Sequence, residues 1–383
     1  MAGINLQQFL VTWMLVGMLA EPGTRVGLAQ FLIALPGFAL MLFGGSIGDR
    51  RDGRSLLIGL HLMAFAPPLL MAVGVATLGL SYLTVILFGI SVAAVAGFSE
   101  PPRSALLNRV THGHIQTTVV LSTTVSASIG LAGTWLGGRI DAFGLEWVLI
   151  SQAMLFGTGA LAIAVIAPGL TRMPANARPS RPLSELADGL RVLWRTPKVR
   201  DVIGLNFLSS IFNAGAWFVV YPFLVTRAYA ADAAMLAILV IIFFTGSIAS
   251  NLGLLRFVPM ARPGRLFLIM QITRVVIFAI LWAQPPLWLM VLATIGWGMN
   301  MGITSTTARM MVQSGAPEAH RSRVLSVFIL GTLSAAPLGA ILLGTLVDLA
   351  SVRAGFIPGL LASVVIFIIG ITATTLWTDR EGP

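Results

Sequence analysis

Two apolar segments of the sequence each carry a row of uncharged polar and aromatic residues at helical spacing. The first row consists of Asn206, Ser210, Asn213 and Trp217. The second row consists of Trp297, Asn300, Thr304 and Thr307. A polar helix face gains nothing against lipid, so each row points into a helix bundle or a cavity. Amides, hydroxyls and indoles suit a bulky, amphipathic ligand that forms hydrogen bonds. Hydrogen bonding between helices is the alternative, and the sequence leaves both open.

A second cluster of informative residues joins two of the apolar segments. Residues 45–54 read Gly-Ser-Ile-Gly-Asp-Arg-Arg-Asp-Gly-Arg. The glycines let neighbouring helices approach closely and permit a tight turn. Asp49 offers a partner for an arginine or for a helix N-terminus. An ordinary basic hairpin is the alternative interpretation.

The elements that position these residues must be membrane-spanning helices. Of the 383 residues, 57% are hydrophobic and 10% are charged, and the mean hydropathy is +0.91. Soluble proteins carry about 25% charged residues. Roughly two-thirds of the chain lies in apolar runs of about 20 residues, which is long enough to cross a bilayer. A soluble domain, a disordered chain and a nucleic-acid-binding module are therefore excluded.

The apolar runs predict an all-α integral membrane protein with twelve transmembrane helices. The predicted spans are 4–20, 26–46, 56–79, 82–99, 116–138, 145–168, 202–225, 233–255, 266–283, 286–311, 324–347 and 355–377. The first span is short, which suggests a natural start upstream of Met1. We find no basic and apolar leader with a cleavage site, and so predict no signal peptide.

The basic residues predict the orientation of the chain. The loops between spans 2 and 3, 4 and 5, 6 and 7, 8 and 9, and 10 and 11 lie on one side of the membrane together with the C-terminus. They hold 18 basic residues, while the loops on the opposite side hold 4. Positive charge accumulates on the cytoplasmic side of membrane proteins. Both termini are therefore predicted to be cytoplasmic.

The longest break between spans divides the chain into two halves. Residues 169–200 carry seven basic residues and four prolines, with a leucine and tryptophan stripe between Leu183 and Trp194. The stripe predicts an amphipathic helix on the inner leaflet, and a solvated linker is the alternative. The endings Leu-Gly-Gly-Arg-Ile-Asp141 and Leu-Gly-Thr-Leu-Val-Asp348, 207 residues apart, indicate an internal repeat. The predicted domains are an N-terminal six-helix bundle (1–168), a cytoplasmic linker (169–199) and a pseudo-symmetric C-terminal six-helix bundle (200–383).

Residues 45–54 resemble the loop 2–3 signature of the major facilitator superfamily, and their Asp-Arg-x-Asp-x-Arg ending resembles the branch that contains the enterobactin exporter and the macrolide efflux proteins. Residues 98–107, 321–326 and 336–348 are similar to further motifs of that branch. The resemblance implies a secondary transporter that works by alternating access and exports a drug-like or siderophore-like molecule. It places spans 7 and 10 around the central cavity. The gating residues that we predict are Gly45, Gly48, Asp49, Arg50, Asp52, Arg54, Glu100 and Arg103.

The charged residues of the sequence do not establish whether transport is coupled to protons. Span 5 departs from the Gly-Pro-x-x-Gly-Gly pattern of the antiporters, because Thr134 stands at the proline position. A buried carboxylate is the usual proton carrier of a transporter, but no acidic residue lies at the middle of a predicted span. Glu100, at a cytoplasmic helix end, is the best candidate, and a solvated acid is the alternative. Proton antiport is therefore a hypothesis only.

Arg274 is the basic residue that lies well inside a predicted span. One interpretation is recognition of an anionic or carbonyl-bearing substrate. The other is packing or snorkelling, which the sequence favours because span 9 is peripheral in the superfamily that the chain resembles.

No cofactor is expected, because the sequence lacks a phosphate-binding P-loop, has no cysteine and has no clustered histidines. We expect a monomer in a bacterial inner membrane whose partners are lipid, a small-molecule substrate and, under the antiport hypothesis, protons. The alternatives are a facilitator or importer and an inactive or truncated homologue. An enzyme acting on lipid-linked substrates is disfavoured, because no loop supplies an acid or histidine cluster.

Overall fold

The computed structural model describes residues 1–48, 53–110, 115–165, 182–257 and 260–379, and every regular element in these ranges is helical. A chain in lipid must satisfy its backbone hydrogen bonds internally, and a helix does so within one segment. The helices are α1 (Ala2–Trp13), α2 (Gly23–Gly48), α3 (Gly53–Leu78), α4 (Tyr82–Val110), α5 (Ile115–Gly137), α6 (Ile140–Phe143), α7 (Leu145–Ala164), α8 (Pro182–Arg195), α9 (Pro197–Gly215), α10 (Tyr221–Phe223), α11 (Ala233–Leu254), α12 (Pro263–Trp282), α13 (Leu287–Gly315), α14 (Arg321–Leu349) and α15 (Ile357–Thr372).

Nine helical segments among the described residues are long and apolar enough to cross a membrane. The chain is therefore a multi-pass membrane protein, as predicted. Three of the nine join shorter elements. The helices α9 and α10 form one segment to Ala228 through π-helical turns, a 3-10 turn extends α11 to Phe257, and a 3-10 turn from Arg353 leads into α15. Predicted spans 1, 2 and 5 fall on α1 with its π-helical continuation, on α2 and on α5. The count of twelve spans in two six-helix bundles stays a prediction.

The chain forms two compact units. Unit 1 comprises Met1–Ala20, Leu32–Leu183 and Ala231–Ala237. In it α3 packs against α4 and α7, and α1 packs against α5. The buried Gln152 side chain on α7 donates hydrogen bonds to the Gly3 carbonyl (3.0 Å) and to Gln7 Oε1 (2.7 Å) on α1.

Unit 2 comprises Glu21–Phe31, Ser184–Ala230 and Ile238–Pro383. Here α14 packs against α9, and α12 packs against α13 and α15. The described part of the predicted linker contains α8, whose Leu193 joins a buried apolar cluster with residues of α9, α12, α13 and α14. Trp194, one residue further on, is 70% exposed. The helix α8 thus packs one side against the helices of unit 2. The position of its apolar stripe on the inner leaflet and the predicted domain boundaries stay predictions.

The two aspartates that end the sequence repeat accept hydrogen bonds from the first N–H groups of other helices. Asp348 Oδ1 and Oδ2 accept hydrogen bonds from the N–H groups of Gly23 and Thr24, both at 2.7 Å, at the start of α2. Asp141 Oδ2 accepts a hydrogen bond from the Ala233 N–H (3.3 Å) at the start of α11. A carboxylate at a helix N-terminus satisfies unpaired N–H groups and complements the helix dipole. The two repeat-ending aspartates therefore perform the same task.

Glycines allow two helices of unit 2, α9 and α14, to approach very closely. A Cβ atom on Gly339 of α14 would lie 1.9 Å from the carbonyl oxygen of Ile211 on α9, and one on Gly215 would lie 2.4 Å from the Gly339 oxygen. Backbones approach this closely only where side chains are absent. In membranes, where burial from water drives helix association little, such contacts supply much of the packing energy.

We predict that Gly215→Ala destabilises the detergent-solubilised protein by about 1–3 kcal/mol, because the added methyl group forces two backbones apart. The matched control is Gly204→Ala in the same helix, where a Cβ atom would meet nothing within 4 Å. The control should be neutral or stabilising, because alanine is the better helix former. Equal melting temperatures for the two variants would contradict the packing described for α9 and α14.

Candidate substrate site

A cavity of about 360 Å³ lies inside unit 2, where α9, α12, α13 and α14 meet. This volume is at the lower end of the range for small-molecule sites. Four of the eight residues predicted from the two polar rows line it. They are Asn206, Ser210 and Asn213 of α9 and Thr304 of α13.

The polar row of α9 faces the cavity over two turns of helix. Asn206 Nδ2 donates a hydrogen bond to Thr332 Oγ1 (3.2 Å) on α14. Asn213 Oδ1 accepts one from Trp297 Nε1 (2.7 Å) on α13. Ser210, between the two amides, lines the cavity and is half-buried. Asn206 and Asn213 hold neighbouring helices together, and all three side chains line the cavity.

The two tryptophans of the predicted rows lie in an aromatic cluster and do not line this cavity. Trp217 stacks on Phe243, with ring centroids 3.8 Å apart, and the fully buried Trp297 meets Trp217 edge to face at 5.4 Å. Tyr221 and Phe278 complete the contacts around Trp297. Through its bond to Asn213, the cluster positions the cavity wall.

Asn300 and Thr307 of the second row are also directed elsewhere. Asn300 is buried, and its Nδ2 donates to the Met270 carbonyl (2.5 Å) and to Thr273 Oγ1 (2.7 Å) on α12. Thr307 is fully buried and donates to the Ile303 carbonyl of its own helix (2.8 Å). Substrate contact by any residue of the two rows stays a prediction.

Arg274 of α12 lines the cavity, although it is only 3% exposed. Its Nη1 donates to Ser209 Oγ and to Gln271 Oε1 (3.3 Å), while Nε and Nη2 both donate to Asn300 Oδ1, at 3.2 and 2.9 Å. Nη2 also lies 3.5 Å from Thr304 Oγ1. The guanidinium is therefore bonded to amides and hydroxyls inside the helix bundle and does not snorkel to a membrane surface.

The cavity has polar walls that the sequence rows did not indicate. Ser209 and Thr332 both line it. Ser209 lies one position beside the predicted row, and Thr332 lies one turn after Phe328 in a strongly apolar helix. Thr332 is one of the few hydroxyl residues in this apolar helix, and that is the sequence feature that could have indicated it.

Only some of the predicted gating residues lie within the part of the chain that the structure describes. Asp49, Arg50 and Asp52 lie outside the described residues, and Gly45 and Gly48 are in the last turn of α2. Arg54 Nη2, on α3, donates a hydrogen bond to the Ala164 carbonyl (2.5 Å), the last residue of α7.

Glu100 and Arg103 form an ion pair in unit 1. Glu100 Oε1 and Arg103 Nη2 are 2.8 Å apart, and both side chains are more than 40% exposed. The two residues also line a small cavity of about 50 Å³ together with His61. Such an exposed pair contributes at most about 1 kcal/mol to stability.

A multi-pass helical chain whose spanning helices enclose a cavity of mixed polar and apolar lining has the architecture that membrane transporters use. Residues 2–379 match the family described as transmembrane secretion effector. The chain belongs to this family of the major facilitator superfamily and is a transporter, not an enzyme.

One relative is the multidrug efflux pump Tap of Mycolicibacterium fortuitum, which is 26% identical over 239 residues. The match covers 60% of this chain and 56% of Tap, so it spans just over half of that relative's length.

Solved structures share the fold at low sequence identity. The nucleoside transporter NupG superposes with a TM-score of 0.77 at 14% identity, covering 97% of each chain. A bacterial homologue of the human lysosomal transporter Spinster, in an inward-facing and unoccupied conformation, superposes with a TM-score of 0.68 at 13% identity, covering 100% of this chain and 96% of that one. These likenesses establish the major facilitator fold.

We predict that Asn300→Leu destabilises the protein by about 3–5 kcal/mol, because Nε of a buried guanidinium loses its acceptor and Nη2 loses the nearer of its two. The matched control is Asn251→Leu, which removes the acceptor of a neutral Thr306 hydroxyl bond (2.7 Å) and should cost about 1 kcal/mol. Melting temperatures of both variants in one detergent test this difference. Equal losses would show that Asn300 does not solvate the charge of Arg274.

Proposed function

We propose that this transporter exports an amphipathic small molecule, drug-like or siderophore-like, across a bacterial inner membrane. The observation that carries the proposal is the cavity of unit 2, where amides and hydroxyls share the lining with apolar side chains such as Phe328 and Leu333. Ligand sites of this kind hold an apolar body by packing and fix its orientation with a few polar contacts. The family description and the name of the efflux pump Tap support the direction of export.

The proposed mechanism is alternating access around this cavity. In major facilitator transporters, two repeats rock against each other around a site near the membrane midplane. We place the substrate against Asn206, Ser210, Asn213 and Thr304, with both termini in the cytoplasm. The segment from Asp49 to Arg54, together with Glu100 and Arg103, is proposed to stabilise one of the two states from the cytoplasmic side.

Import or facilitated diffusion is the second candidate, because the best candidate for a proton carrier, Glu100, is held in an ion pair by Arg103. A solute that exchanges between proteoliposomes and medium without any gradient identifies a facilitator. Under proton antiport, a protonophore abolishes export, and Glu100→Gln removes that dependence without removing the protein from the membrane. Export that is unaffected by both changes excludes proton coupling through Glu100.

We predict that Ser210→Phe abolishes export, because a phenyl ring fills part of the cavity between the two amides of α9. The measurement compares small molecules in cells and in the medium, with the gene present, deleted or mutated. The control is Thr245→Phe on α11, at an exposed position whose hydroxyl bonds only its own helix. A compound retained in the deletion strain and in Ser210→Phe, but not in Thr245→Phe, identifies the substrate. A compound exported equally by all three expressed proteins would place transport outside this cavity.

A further inference from the structure

We propose that the transported molecule is an amphipathic anion, with a carboxylate or a group of similar charge, and that Arg274 binds this group in the cavity of unit 2. The inference rests on the proposed function and names its substrate class. From the sequence alone, recognition of an anionic substrate is the disfavoured interpretation of Arg274.

The first observation is that Arg274 is buried without a counter-ion. Arginine keeps its charge in proteins, and a charge of this kind within a membrane-spanning helix costs about 3 kcal/mol or more. All four residues that accept its hydrogen bonds are neutral. Among the ion pairs of the described residues, none includes Arg274. Amide and hydroxyl oxygens satisfy the N–H groups but leave the positive charge uncompensated.

The second observation is the charge of the cavity itself. A second arginine, Arg309, lines it and is exposed, and none of its fifteen lining residues is acidic. Two positive charges on low-dielectric walls create a potential that concentrates anions. A cationic drug, by contrast, would enter this cavity against both charges.

The third observation is the geometry around the guanidinium. Ser209 and Thr304 each contact the guanidinium and also line the cavity. The Thr304 contact is the longest of the set, at 3.5 Å, so this is the edge at which an oxygen atom of a ligand would approach Nη2. Hydroxyls can rotate to donate to that oxygen. All five N–H groups of Arg274 have acceptors, so a carboxylate oxygen would replace Thr304, the most distant of them, at one N–H of Nη2.

The remainder of the cavity defines the rest of the ligand. Asn206 and Asn213 offer amides on one wall, while Phe328, Ile329 and Leu333 of α14 offer apolar surface on another. A molecule with an apolar body, one or two hydrogen-bonding groups and one anionic group complements these walls.

The test measures binding to the purified full-length protein in lipid nanodiscs. The probes are amphipathic aromatic carboxylates, each paired with its own primary amide, and the readout is the quenching of tryptophan fluorescence. We expect at least one acid to bind about tenfold or more tightly than its amide. In Arg274→Gln this preference should disappear, and in Arg274→Lys it should persist in weakened form. Loss of acid binding with amide binding intact shows that the Gln variant is folded.

Two results would overturn the proposal. The first is that no acid is preferred over its amide, and the second is that the preference survives in Arg274→Gln. Titration with chloride in place of the acids tests whether the site binds an inorganic ion or an organic acid. If chloride binds in an Arg274-dependent manner and no acid does, the site serves an inorganic ion and the assignment of the charge to the transported molecule is wrong.

This binding assay is independent of the direction of transport. Failure of the export assay, with the acid preference intact, would contradict the proposed export and leave the anion site in place. Loss of the acid preference in a protein that still exports would contradict the anion site alone.

Discussion

A guanidinium within a membrane-spanning helix must be solvated by the protein, and the polar interior of unit 2 is organised around this requirement. Arg274 obtains its acceptors from three helices: Ser209 of α9, Gln271 of its own helix, and Asn300 and Thr304 of α13. Asn300 is fixed in turn by bonds from its Nδ2 to α12. The acceptors that also line the cavity, Ser209 and Thr304, link the solvation of the charge to the proposed binding of a ligand.

Lipid imposes the second constraint on the fold. Since burial from water does not drive one membrane helix against another, close packing and hydrogen bonds must do so. Gly215 and Gly339 bring α9 and α14 into backbone contact, and these are two of the helices that enclose the cavity. The aromatic cluster around Trp297 fixes the neighbouring wall and reaches the cavity through the bond to Asn213. The cavity is therefore supported by rigid, well-packed elements.

Much of the fold follows from the sequence, because the lengths of the apolar runs reflect the thickness of the bilayer. The predicted span 286–311 corresponds to α13 (Leu287–Gly315), and the span 116–138 corresponds to α5 (Ile115–Gly137). The sequence also indicates the face of α9 that carries Asn206, Ser210 and Asn213, since all three line one cavity.

Periodicity defines a helix face but does not identify the neighbour that this face meets. Asn300 and Thr304 share a stripe, yet Asn300 is bonded to α12 and only Thr304 lines the cavity. Thr307 satisfies its hydroxyl within its own helix, as threonine commonly does. Arg274 is the clearest case, because only tertiary packing shows that its helix reaches the cavity.

Protection of an introduced cysteine measures whether the transported molecule binds in the cavity of unit 2. The chain has no cysteine, so Ser210→Cys introduces a single thiol into the cavity without further changes. In isolated membranes, a transported compound should slow the reaction of this thiol with N-ethylmaleimide. The exposed control Thr378→Cys, near the end of the described chain, should react at one rate with and without the compound. If saturating compound leaves the labelling rate of Ser210→Cys unchanged, the substrate does not bind in this cavity.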